Sequence, residues 1–151
     1  METSRRQRVG LLVLRLALGL IFVLHGWTNI AGGESFLREM LAMVGWSAPD
    51  PLVWMIAALE FFGGLALVLG LLTRGAALLL ALEMVIAVAL FHLRQGFFIV
   101  AVPNAPLAYG FEYHVALVGG LVCLALGGPG ELALEGRVGA RRLGLRPGHQ
   151  E

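Results

Sequence analysis

The fold is decided by residues 52–93, which read LVWMIAALEFFGGLALVLGLLTRGAALLLALEMVIAVALFHL. Two long apolar runs in this stretch flank the short segment Thr73-Arg74-Gly75. Each run is long enough for a helix to cross the ~30 Å hydrocarbon core of a bilayer. Because so short a connection joins only antiparallel neighbours, the stretch predicts a transmembrane helical hairpin. Glu60 and Glu83 lie near the middle of its two arms.

Two further apolar runs surround this hairpin. The first extends from about Val9 to Ile30, and the last from about Phe111 to Leu126, where glycines and Pro129 stop the helix. Of the 151 residues, 58% are hydrophobic and 14% are charged, so little is left for a separate soluble domain. We predict an all-α integral membrane protein, a four-transmembrane-helix antiparallel bundle over residues 9–128, with tails at residues 1–8 and 129–151.

The distribution of arginines predicts the orientation of the bundle, since short cytoplasmic segments carry an excess of basic residues. Eight arginines flank the spans on one side, in the two tails and at Arg74, whereas the opposite loops hold only Arg38 and Arg94. Both termini are therefore expected on the cytoplasmic side of the membrane. The formal charge is only +1, and the absence of a basic folded face argues against nucleic-acid binding.

The two outer loops are unusually apolar. Residues 33–50 alternate apolar and charged positions at near-helical spacing, which predicts a short amphipathic helix at the membrane surface. Residues 94–110 contain a run that includes Phe97 and Phe98. A loop of this composition is expected to dip into the mouth of the bundle, and long loops of this kind often carry function.

Arg15 raises the question of a buried ion pair. It lies roughly 9 Å inside the first span, whereas Glu60 and Glu83 lie near the midplane, so the long side chain can reach one of the two carboxylates. One interpretation is a structural ion pair that holds three helices in register. The other adds a proton-coupled role for the carboxylate that the arginine leaves unpaired.

Other polar residues collect towards the outer side of the spans. His25 is one turn from Asn29, His92 ends the third span, and Glu112 and His114 begin the fourth. Residues two apart on a helix point about 200° from each other, so we predict that Glu112 points inward and His114 sideways. By the same geometry His92 lies about half a turn out of phase with Glu83 unless the helix bends.

A metal or disulfide site is not predicted. Histidine ligand pairs at one-turn spacing are absent, and Cys123 is the single cysteine, embedded in an apolar run where packing is its expected role. Patterns for dinucleotide binding, for the P-loop and for serine hydrolases are also absent.

Seven short segments recur in the order and spacing of a known family: Leu14-Arg15-Leu16, Leu24-His25-Gly26-Trp27, Leu59-Glu60-Phe61-Phe62-Gly63-Gly64, Leu69-Gly70-Leu71-Leu72-Thr73-Arg74, His92-Leu93-Arg94-Gln95-Gly96-Phe97-Phe98, Gly110-Phe111-Glu112-Tyr113 and Gly127-Gly128-Pro129-Gly130. Together they resemble the DoxX family of bacterial and archaeal membrane proteins, over nearly all of residues 9–135. One departure is Ala133-Leu134-Glu135, where the family often has Ser-Leu-Asp.

The resemblance implies a four-helix bundle in a prokaryotic plasma membrane, the cell inner membrane, and some DoxX relatives are subunits of quinone-linked oxidoreductase complexes. The leading hypothesis is thus a membrane subunit that binds a quinone and receives electrons from an oxidoreductase partner. The quinone ring would enter an apolar mouth, and polar side chains would supply hydrogen bonds and protons. The predicted cofactor-binding residues are His25, Trp27, Phe97 and Phe98, and the predicted catalytic residues are Glu60, His92 and Glu112.

Two alternatives from other classes stay open. One is a non-catalytic membrane anchor or assembly factor, in which the buried charges only fix helix packing. The other is a small proton-coupled transporter, which the midplane carboxylates favour and the lack of an inverted repeat disfavours. Contact with membrane lipid follows from every hypothesis, whereas the oligomeric state, a homo-oligomer included, is left open.

Overall fold

The computed structural model describes residues 4–32, 35–43, 45–47, 49–100 and 108–135. Two short strands, at residues 99–100 and 108–109, pair antiparallel, with Ile99 opposite Tyr109. The regular elements are the helices α1 (Arg5–Ala31), α2 (Ser35–Met43), α3 (Asp50–Leu69), α4 (Thr73–Ala87) and α5 (Glu112–Gly127), a π-turn (Val88–His92), a 3₁₀ turn (Leu93–Gln95), β1 (Ile99–Val100) and β2 (Ala108–Tyr109).

Four helices form an antiparallel bundle in which α1 packs mainly on α3 and α4 mainly on α5. The contacts of α3 with α4 and of α1 with α5 close the arrangement. We call the end where α1 begins, α3 meets α4 and α5 finishes the terminal end, and the opposite end the loop end. The predicted helical bundle is therefore present, and α2 occupies part of the predicted amphipathic segment.

Three helical segments are long and apolar enough to cross a membrane: Arg5–Ala31, Pro51–Leu69 and Thr73–Gln95. The fourth, Glu112–Gly127, has 16 residues and is shorter. At 1.5 Å per residue it covers about 24 Å, less than the hydrocarbon core. The molecule is thus a helical bundle of the kind found in membranes, and three of the four predicted transmembrane helices are long enough to cross the bilayer.

Glycines allow α1 and α3 to approach closely. A Cβ added at Gly64 would lie 2.6 Å from the backbone nitrogen of Val23, and one added at Gly26 would overlap the backbone of Phe61. Gly19 faces the same seam. Small residues at such crossings bring helix backbones into van der Waals contact, which drives association where lipid surrounds the helices. Gly119, in contrast, has no atom within 4 Å of an added Cβ, so it contributes nothing to the seam.

The apolar core lies between the four long helices, and its largest fully buried apolar members are Phe22, Leu67, Leu80, Leu121 and Leu124. A second, smaller cluster lies at the loop end. There Leu37 and Leu41 of α2 pack on Val53 of α3, with Phe91 of the π-turn against them. Helix α2 therefore covers the loop end of α3 as well as following the predicted amphipathic pattern.

Candidate functional site

Asn29 and Glu60 form a buried hydrogen bond across the α1–α3 seam. The Nδ2 atom of Asn29 donates to Oε2 of Glu60 over 2.7 Å, and both side chains are buried. At Gly26, one turn before Asn29, the backbones of α1 and α3 approach closely. This approach brings Asn29 within hydrogen-bonding distance of Glu60. The sequence had placed Asn29 beside His25 but had not identified it as the partner of Glu60.

Glu83 of α4 lies close to this pair. The Glu60 carboxylate is near enough for its charge to act on Glu83. The Oε2 atom of Glu83 is buried and has no hydrogen-bond partner among the residues that the structure describes. A buried carboxyl oxygen without a partner is costly, and such atoms are expected to meet a ligand, a water or a proton.

Two histidines stack between the π-turn that follows α4 and the first turn of α5. The ring centroids of His92 and His114 are 4.1 Å apart, with the ring planes at 39°. His92 is buried, and Nδ1 of His114 is buried without a hydrogen-bond partner in the described part of the chain. His25, exposed on α1, is close enough for its charge to act on His114.

The π-turn explains how His92 reaches His114. A π-turn bonds residue i to i+5, so each residue rotates by less than the ~100° of an α-helix. The half-turn phase difference between Glu83 and His92 that an ideal helix would impose is therefore reduced by Val88–His92. The phase estimated from the sequence assumed about 100° of rotation per residue throughout, so it did not account for the π-turn.

Glu112 and His114 are oriented opposite to the prediction. The Glu112 carboxylate accepts a 3.2 Å hydrogen bond from the Ile99 amide, and the Glu112 amide donates to the Phe97 carbonyl over 2.9 Å. Glu112 therefore fastens Phe97 and Ile99 to the start of α5, while His114 points towards His92. The prediction of an inward Glu112 was wrong because the loop carbonyls and amides fix the first turn of α5.

The aromatic residues of the predicted mouth belong to two separate contacts. Trp27 packs on Phe61, with ring centroids 6.1 Å apart, whereas Phe97 packs on Phe98 and on Phe111 at 5.1 and 5.2 Å. Across the described ranges, no ring contact joins Trp27 to Phe97 or Phe98. The sequence-based mouth is therefore not a single aromatic surface.

Arg15 does not form the predicted ion pair with Glu60 or Glu83. Its guanidinium is buried at the terminal end, where Nη2 donates to the backbone carbonyl of Glu131 over 3.4 Å and Nη1 lies against Gly70. Helical side chains point back towards the N-terminus of their own helix. Since α1 begins at the terminal end, Arg15 points away from the midplane carboxylates.

A segment after α5 closes the terminal end and was missed by the sequence interpretation, which treated it as a tail. The Glu131 amide donates to the Arg8 carbonyl over 3.2 Å, and the Glu135 amide donates to the Gly70 carbonyl over 3.0 Å. The Glu135 carboxylate accepts a 3.1 Å hydrogen bond from the Thr73 amide, at the first residue of α4. It thus caps a helix whose own N-cap, Leu72, has no side chain able to do so.

The sequence shows that a local cap is missing but not which residue replaces it. Helix α4 follows Leu71-Leu72, which offers no capping oxygen, so its first amides need an acceptor from another part of the chain or from water.

Cys123 is exposed on the outer face of α5, so it takes no part in the core of the bundle. No group of three histidine, cysteine, aspartate or glutamate side chains in the described segments is arranged to hold a metal ion.

Comparison with known proteins places these features in a family. The DoxX family model matches residues 10–93. Inner membrane protein YqjF of Escherichia coli is 32% identical over 132 residues, which are 87% of this chain and 94% of that protein. A Bacillus subtilis protein named "Putative oxidoreductase CatD" is 32% identical over 114 residues, 74% of this chain and 80% of that protein. No solved structure matches the chain.

The matched region contains α1, α3, α4 and the π-turn, and so holds Asn29, Glu60, Glu83 and His92. The family resemblance seen in the sequence is therefore confirmed: this prokaryotic membrane protein belongs to the DoxX family.

Proposed function

We propose that the chain is a quinone-linked membrane subunit of an oxidoreductase complex. The observation that carries this proposal is a polar centre inside an apolar bundle, with two buried polar atoms, Glu83 Oε2 and His114 Nδ1, that have no partner in the described part of the chain. When each of these atoms carries a proton, it can donate a hydrogen bond to a carbonyl oxygen of a quinone headgroup. The name of the CatD relative supports the same class of chemistry.

Both atoms lie on neighbouring helices. Glu83 is on α4 and His114 is on α5, and these two helices pack against each other as antiparallel neighbours.

The surrounding residues have distinct roles in this proposal. A quinone takes up protons together with electrons, so its site needs proton donors in an otherwise apolar slot. Glu60 and Glu83 form a carboxyl pair that holds and delivers a proton, and Asn29 positions Glu60. His114, backed by His92 and near His25, hydrogen-bonds the headgroup. Because no electron carrier is evident in this chain, a partner oxidoreductase supplies the electrons.

The topology belongs to the same proposal. We place both termini in the cytoplasm and let α5 complete a fourth span, because Arg5, Arg6, Arg8 and Arg74 all lie at the terminal end. In a Cys123→Ala background, a cysteine at Arg74 should react only with reagents supplied from the cytoplasmic side, and a cysteine at Arg94 only from outside. The reverse pattern would overturn this orientation.

The test of function is a binding titration with decylubiquinone, a short-tailed quinone analogue, on the purified full chain in detergent. Glu83→Gln and His114→Leu should each weaken binding about fivefold, the loss of roughly one hydrogen bond. Glu112→Gln is the matched control, since the glutamine oxygen can still accept the hydrogen bond from the Ile99 amide. The affinity of this variant for decylubiquinone should equal that of the unmodified chain. Unchanged affinity in folded Glu83→Gln and His114→Leu would leave the membrane-anchor alternative in place.

A further inference from the structure

A long groove on the membrane-facing side of the bundle is not used by the proposed quinone site. It runs between α3 and α4 and has a volume of about 600 Å³, within the usual size range of ligand pockets. Its wall is mostly aliphatic: Leu59, Phe62, Gly63, Ala66, Leu72, Ala76 and Leu79. The small side chains of Gly63, Ala66 and Ala76 leave room for an extended hydrocarbon chain to lie along the seam between α3 and α4.

One end of the groove is charged. Arg74 and Glu135 line it at the terminal end of the bundle. The Glu135 carboxylate accepts a hydrogen bond from the Thr73 amide. The Arg74 guanidinium is exposed, and no carboxylate in the described part of the chain lies within ion-pair distance of it. The groove thus combines an apolar trough with an exposed guanidinium that makes no ion pair within the described part of the chain.

From this arrangement we propose that the α3–α4 groove is a binding site for an anionic phospholipid, with an acyl chain along the aliphatic wall and the phosphate at Arg74. A headgroup that carries its own cation would compete with Arg74 for the phosphate, which favours a phosphatidylglycerol-type lipid over phosphatidylcholine. The proposal does not depend on the quinone site, because a quinone has no anionic group for Arg74 to recognise.

The experiment is native mass spectrometry of the purified full chain in detergent with an equimolar mixture of phosphatidylglycerol and phosphatidylcholine. The unmodified chain should retain phosphatidylglycerol preferentially, and Arg74→Gln should reduce that preference about fivefold, the effect of one basic residue near a membrane surface. Arg94→Gln, which removes an exposed arginine at the loop end, is the matched control and should retain the full preference. Leu79→Trp, which fills the groove, should lower the occupancy of both lipids.

Several outcomes would overturn the proposal. Equal retention of the two lipids, or equal effects of Arg74→Gln and Arg94→Gln, would remove the role of Arg74. Stabilisation by inorganic phosphate equal to that by phosphatidylglycerol would indicate a simple anion site without an acyl chain. If Leu79→Trp abolished decylubiquinone binding and left phosphatidylglycerol bound, the groove would belong to the quinone. If Leu79→Trp fails to fold, Arg74→Gln still decides the question.

Discussion

The amide of Asn29 and the carboxylate of Glu60 are joined by a 2.7 Å hydrogen bond that links α1 to α3 inside the bundle. Both side chains are buried, so neither can exchange this partner for bulk water. The bond therefore has two consequences. It contributes to the α1–α3 interface, and it fixes the position of one carboxylate of the Glu60–Glu83 pair.

Asn29 and Glu60 should be energetically coupled. Asn29→Ala and Glu60→Ala should each lower the free energy of unfolding, and the double variant should lose less than the sum, with a coupling energy of about 1–3 kcal/mol for a bond to a charged group. Reversible unfolding in mixed detergent micelles measures all four species. Losses that add to within roughly 0.5 kcal/mol would show that the bond contributes nothing to stability.

Gly26 should be far more sensitive to enlargement than Gly119. The Cβ of Gly26→Ala would overlap the Phe61 backbone, which no rotamer change can relieve, so the seam must open. We expect a loss of about 1–3 kcal/mol, the usual cost of overpacking, whereas Gly119→Ala should be neutral or slightly stabilising. Thermal melting in detergent compares the two variants. Equal melting temperatures would contradict the close α1–α3 approach.

Arg15 and Glu60 should behave as independent sites. Arg15 bonds the Glu131 carbonyl at the terminal end, so the losses in unfolding free energy of Arg15→Leu and Glu60→Gln should add to within about 0.5 kcal/mol. Arg15→Leu should also loosen the segment around Glu131, which faster hydrogen exchange at residues 131–135 would report. A double variant more stable than either single variant would instead restore the ion pair that the sequence suggested.

Glu135 should stabilise the start of α4 through its carboxylate. Glu135→Ala removes the acceptor for the Thr73 amide and should cost about 0.5–2 kcal/mol, as loss of a helix cap does. Hydrogen exchange at Thr73 should accelerate in parallel. Glu131→Ala is the control, since its carboxylate makes only a partly exposed 3.6 Å pair with Arg8, worth at most about 1 kcal/mol. Equal exchange at Thr73 in both variants would rule out the cap.

The sequence predicted the long helices well because bilayer thickness and apolar run length constrain them directly. The hairpin around Arg74 and the buried Glu60 followed from this constraint, whereas the helix in residues 33–50 followed from its amphipathic spacing. The family assignment rested on the order of the same segments and is confirmed.

The side-chain partners were harder to predict because they depend on geometry that residue spacing does not contain. The reach of Arg15 was estimated by depth alone, whereas the direction of a helical side chain decided its partner. The π-turn at Val88–His92 changed the helix phase, and the amide of Ile99 in β1 donates a hydrogen bond to the Glu112 carboxylate. Glu135 was treated as part of a tail because a contact 62 residues away from Thr73 leaves no local pattern.

The central claim, that the carboxyl pair of the polar centre meets the quinone headgroup, is tested most directly by infrared difference spectroscopy of the purified chain with and without decylubiquinone. The account predicts a change in carboxyl absorption on binding that disappears in Glu83→Gln and persists in Glu112→Gln, since the Glu112 carboxylate is bound to the Ile99 amide. Quinone binding without any carboxyl change, or a change that survives in Glu83→Gln and is lost in Glu112→Gln, would contradict the account.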